Sequence, residues 1–137
     1  MKTKLRVLAA SVGLFCVAVP AVAHHSFEVD YDRDKPIEVT GVVTKVAWTN
    51  PHMRVYVDVT DVSGKVTTWN FELASPNTII RNGWTRNDLK PGDKVIVKGF
   101  AGRIVESRAI LNRITTADGR RLLSPAGAGA PSDTSGR

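Results

Sequence analysis

From Met53 to Thr60 the residues alternate without a break: Met53, Val55, Val57 and Val59 are apolar, and Arg54, Tyr56, Asp58 and Thr60 are polar. Side chains on a β-strand point to opposite faces with a period of two, so this stretch predicts a strand with one face buried and the other wet. A half-buried strand needs partners, and the flanking residues supply them. Asp61–Gly64 is turn-forming, and Lys65–Leu73 carries Val66, Trp69 and Phe71, which predicts a hairpin. Upstream, Ile37, Val39, Gly41 and Val43 alternate with polar neighbours, and the pattern runs through Val46 to Trp48 before Asn50-Pro51 punctuates it. That is the pattern of one long strand with a glycine at its bend.

Ser75 before Pro76 predicts a helix N-cap followed by proline at the first helical position. Gly83 then ends a short helix that holds Ile79 and Ile80. Lys90–Asp93 reads as a turn into a fourth strand, Lys94–Phe100. A fifth, Glu106–Thr115, faces the core with Ala109 and Leu111 or with Ile110 and Ile114, and Ala117–Arg120 turns the chain onto Arg121–Leu123. The order strand, strand, strand, short helix, strand, strand predicts an all-β fold: a small OB-like barrel of five to six strands with one short helix. A small open β-sandwich of the same strands is the runner-up. The expected domain runs from Pro36 to Leu123, with an arm at 24–35 that includes the acidic stretch Glu28–Asp34. The tail at 124–137 has no large hydrophobic residue and is expected to stay unstructured.

Residues 1–23 stand apart. Lys2, Lys4 and Arg6 precede an apolar run from Val7 to Val19, and Ala21-Val22-Ala23 closes it, which is the pattern of a secretory signal peptide. The run is short of the roughly 20 residues a membrane-spanning helix needs, so no stable membrane anchor is expected. Cys16, the single cysteine, lies inside the run after the bulky Phe15, which does not suit lipoprotein processing. Removing 23 residues from 137 leaves 114 with no cysteine, hence no disulfide and no thiolate metal site. The cut also takes three of the 19 basic residues, leaving 16 against 13 acidic. A net charge of +3 on an exported chain argues against a nucleic-acid partner. The expected location is the periplasm or the exterior, and the oligomeric state stays open.

The three histidines fall in two places: His24 and His25, at the new N-terminus after cleavage, and His52 after the Asn50-Pro51 turn. A free α-amine and the imidazole of the same terminal histidine can chelate one ion. A third nitrogen from His52 completes an all-nitrogen set that favours copper(II), with His25 as fourth ligand or outer partner. Cleavage after Ala21 would instead place His24 third, which is also a copper chelate. The blander alternative is a solvated arm and a turn histidine.

A second reading uses aromatic residues. Trp48, Trp69, Trp84, Tyr56, Phe71 and Phe100 could form a stacking face for a peptide, saccharide or envelope protein. Strand alternation assigns Trp69 and Phe71 to the core. Trp48, Asn50 and Trp84 remain the surface candidates for ligand binding. No catalytic motif is present, so no enzyme is expected. Asp30, Asp32 and Asp34 open like a calcium loop, but Lys35 and Gly41 stand where that loop needs glycine and glutamate.

His24-His25-Ser26-Phe27, Asp34-Lys35-Pro36, Gly41-Val42-Val43, Trp48-Thr49-Asn50-Pro51-His52, Ser75-Pro76-Asn77, Gly83-Trp84 and Leu89-Lys90-Pro91-Gly92-Asp93 together resemble a family of small secreted bacterial proteins. It is the one numbered 6152 among domains of unknown function. The resemblance runs from His24 to about Leu123. It implies a periplasmic location and no established activity, with His-Ser-Phe and the Asn-Pro-His turn as the suspected site.

Overall fold

The computed structural model describes residues 29–125. Within them the chain forms β1 (Tyr31–Ala47), β2 (Arg54–Thr60), β3 (Val66–Glu72), α1 (Pro76–Arg81), β4 (Lys94–Gly102), β5 (Arg108–Thr116) and β6 (Arg121–Leu123). The architecture is an all-β sheet of six strands with one short helix, as the alternation predicts. Neighbours run in the order β3-β2-β1-β4-β5-β6, and β3 also pairs with β5. That pairing is parallel and spans only Asn70–Glu72 against Arg108–Ile110, while the other pairings are antiparallel. The hydrogen-bonded circuit β1–β2–β3–β5–β4 thus returns to β1.

β1 is long because it serves two partners. It pairs with β4 from Tyr31 to Val42 and with β2 from Val42 to Ala47. Gly41 stands at the hand-over. A Cβ there would lie 2.3 Å from the Asp58 carbonyl oxygen and 2.7 Å from a Val57 methyl, so the backbones come closer than any side chain permits. The β2–β3 hairpin pairs residues equidistant from Ser63, from Thr60 with Val66 out to Arg54 with Glu72. Asp61 accepts from the backbone of Ser63 and Lys65, and Gly64 takes φ +85° to close the turn.

Val43, Val55, Val57, Phe71, Val97 and Leu111 meet in the core with the α1 residue Ile79. Trp69, half-buried, stacks on Phe71 with centroids 5.8 Å apart. On β5, Ala109, Leu111 and Ile114 are all buried. A bulge makes this so: Lys98 pairs with Arg113 and Gly99 with Leu111, so Asn112 is passed over and the inward phase shifts by one. The two sequence alternatives for this strand each held for part of it. α1 is capped as expected, with the Ser75 hydroxyl accepting from the Thr78 N–H at 3.3 Å and Pro76 at the helix start.

Two boundaries and one side chain differ from expectation. β1 begins at Tyr31 rather than near Pro36: the end of the arm, expected to fold back on the domain, is itself part of the sheet, and Tyr31 is buried with Ile110 and Phe100. Ser124, expected in the tail, is buried, with its hydroxyl accepting from the Ala74 N–H at 3.4 Å. Trp84, expected at the surface, is 3% exposed. It closes on the core and donates its indole N–H to the Leu123 carbonyl at 2.9 Å, which ties the loop after α1 to β6. The expected signal segment, His24, His25 and the tail beyond residue 125 lie outside the described residues.

Candidate functional site

Glu72 is the one buried acidic side chain among the described residues, 8% exposed at the end of β3. A carboxylate cannot be desolvated without donors, and three strands bring them. Arg54 on β2 reaches Glu72 Oε2 at 2.9 Å, Arg108 on β5 at 3.0 Å, and the Tyr31 hydroxyl on β1 donates to it at 2.8 Å. Arg108 also donates to the Tyr31 hydroxyl at 3.2 Å and lies over its ring, and Arg54 donates to Asn70 Oδ1 at 3.3 Å. Burial pushes the Glu72 carboxyl up, but the hydrogen bonds from Tyr31 and Arg108 and the charges of Arg54 and His52 outweigh it, and the group is held below the ordinary range. Burial pushes the Tyr31 phenol far above its ordinary value, helped by its bond to Glu72 and by that carboxylate's charge.

His52 adjoins this cluster. The turn before it contains a cis Asn50–Pro51 peptide, and the Thr49 hydroxyl donates to the His52 carbonyl at 3.0 Å. The ring is about half exposed. Its Nδ1 lies 3.2 Å from the Leu73 carbonyl oxygen and 3.7 Å from Glu72 Oε1. A carbonyl only accepts, so in the neutral ring the proton sits on Nδ1 and Nε2 keeps its lone pair. Met53, the next residue, exchanges backbone hydrogen bonds with Leu73 and Ala74, which holds the turn against the end of β3.

The other expected site residues are arranged differently. Trp48 is half-buried, packs on the core, and carries the Arg86 guanidinium 4.9 Å from its ring centroid. Asn50 is exposed beside it. Trp84 belongs to the core. Trp48, Asn50 and His52 therefore share one turn, and Trp84 does not join them on the surface. Asp32, from the calcium-like stretch, accepts instead from the Asp34 N–H and from Arg103.

Sequence reasoning missed Glu72, Arg54, Arg108 and Tyr31. One part was within reach: a hairpin centred on Ser63 places Arg54 opposite Glu72, an opposite-charge pair at matched positions. Arg108 and Tyr31 arrive through long-range pairings that no local pattern encodes. Among the described residues, no three His, Cys, Asp or Glu side chains gather as a metal site. Nor is any helix there long and apolar enough to cross a membrane.

Residues 10–110 match the model of the family of unknown function DUF6152, which covers most of the chain. The chain belongs to the DUF6152 family. No curated protein and no solved structure matches it. The DUF6152 match takes in the His-His pair, the Asn-Pro-His turn, Glu72 and Arg108, so both the expected site and the buried cluster lie inside the family domain.

Proposed function

We propose that this DUF6152 protein is exported to the periplasm or beyond and binds a copper ion there. The ligands are the amine and imidazole of a mature N-terminal His24, the His52 imidazole, and His25 as fourth ligand or outer partner. The protein buffers or delivers the ion rather than catalysing a reaction. We read the circuit of strand pairings, with its long shared first strand, as an OB-type barrel that serves as the rigid platform.

One observation carries the reading: His52 and Tyr31 meet at opposite oxygens of the same carboxylate. The chain therefore enters the fold beside the half-exposed imidazole. Seven Cα-to-Cα steps separate His24 from Tyr31, a reach of at most about 25 Å when extended, enough for the N-terminal histidines to meet His52. The Nδ1–H tautomer supports it too, because it presents Nε2 outward as a ligand nitrogen.

Calorimetry on the processed chain tests this, after N-terminal sequencing has shown where the signal is cut. His52→Ala should lower copper(II) affinity at least about tenfold and leave the fold intact, since the ring is half exposed. Equal affinity would reduce the site to a generic N-terminal chelate. If neither protein binds copper, the turn of Trp48 and Asn50, with Arg86 over the indole, takes over as a binding surface for a peptide, saccharide or envelope protein.

A further inference from the structure

Glu72 spends its two oxygens unequally. Tyr31, Arg54 and Arg108 all converge on Oε2, at 2.8, 2.9 and 3.0 Å, while Oε1 faces the His52 ring at 3.7 Å. Donors from three strands lock the carboxylate in place, and the lock leaves one oxygen turned to the imidazole. We infer that Glu72 is a positioning residue for His52: with the Leu73 carbonyl it keeps the proton on Nδ1, and so makes Nε2 the nitrogen that meets a metal ion. An anion behind the ring also favours the charge the imidazole takes on when Nε2 binds a cation, so the arrangement selects a cationic ligand over a neutral one. The metal half of this inference rests on the copper reading. The tautomer half stands without it.

Glu72→Gln separates the two. Arginine donates and never accepts, so the Gln amide oxygen must take the place of Oε2 and its NH2 must face His52. A donor there pairs with an unprotonated Nδ1 and moves the ring proton to Nε2, against the pull of the Leu73 carbonyl. Nitrogen-15 spectra of the histidine ring, recorded without metal and in the pH range where the same spectra show the ring uncharged, read the tautomer directly. Nδ1–H in the wild type, with a shift toward Nε2–H in Glu72→Gln and retention of Nδ1–H in Glu72→Asp, is the expected result. An Nε2–H wild type, or a Gln variant that keeps Nδ1–H, overturns the inference.

If Glu72→Gln does not fold, His52→Ala gives the second route. Removing the ring should move the carbon-13 resonance of the Glu72 carboxyl, and an unmoved resonance overturns the contact. With copper(II) as the probe, the folded Gln variant should bind at least about tenfold more weakly than the wild type. Equal affinity would overturn the link to the metal. A wild type that binds no copper defeats the proposed function and leaves the tautomer result to decide the role of Glu72.

Discussion

The Tyr31 ring packs with Ile110 and Phe100, and its hydroxyl donates to a carboxylate that two arginines also hold. The folded state favours the neutral phenol, so its pKa is raised above the unfolded value. Stability from this group is therefore present below about pH 10, the ordinary phenol value, and is lost as pH rises beyond it. Denaturant unfolding of wild type and Tyr31→Phe between about pH 9 and 11 measures this. The wild type should lose more stability over that range than the variant, and equal losses would show that the phenol does not titrate against the fold. At neutral pH Tyr31→Phe should cost about 1.5–3 kcal/mol, the usual range for a hydrogen bond to a charged group. For Glu72 the sign is opposite. Its lowered pKa makes its contribution present above the ordinary carboxylate range and lost as the solution is acidified.

Among the elements, β1 bears the strictest local constraint. It changes partner from β4 to β2 at Val42, and the Gly41 backbone is pressed against Asp58 as it does so. The close atom is a carbonyl oxygen of a neighbouring strand, not the end of a flexible side chain, so β1 and β2 must separate to admit a methyl group. Gly41→Ala should destabilise the protein by about 1–3 kcal/mol, as overpacking does, and thermal unfolding would read it. A variant as stable as wild type would show that the strands have room to give. α1, in contrast, is locally encoded from Ser75 to Gly83, so its ends follow from capping chemistry and its packing from the buried Pro76 and Ile79.

For the molecule as a whole, the parallel seam between β3 and β5 is the shortest join of the β1–β2–β3–β5–β4 circuit, with three residue pairs. The Glu72 cluster reinforces it, because Asn70 and Glu72 lie on one side and Arg108 on the other, with Tyr31 bridging from β1. The folding unit therefore takes in Tyr31. A fragment of residues 29–125 should outlast a fragment of residues 36–125 in urea, by about 3 kcal/mol or more for the loss of a buried aromatic side chain. Equal midpoints would place Tyr31 outside the cooperative unit. The longer fragment also lacks His24 and His25, so copper binding by it would remove those residues from the proposed site.

Much of the fold was legible because its signals are local. Alternation from Met53 to Thr60 marks a strand wherever it sits, Asp61–Gly64 can hardly do other than turn, and Ser75-Pro76 starts a helix by satisfying its own amides. His52 was legible as a candidate because few other residue types offer a nitrogen ligand. The burial of Trp84, the inclusion of Tyr31 and Ser124, and the phase shift at Asn112 were not legible. Each depends on a strand or loop distant in sequence: β6 for Trp84, β4 and β5 for Tyr31, and the bulge opposite Lys98 and Gly99 for the register. Most of all, only the tertiary structure brought Glu72 under two arginines and a tyrosine from three strands. A charge at a strand end reads as solvent-facing until long-range pairing removes the solvent, and a buried carboxylate exists only where the whole fold assembles its donors.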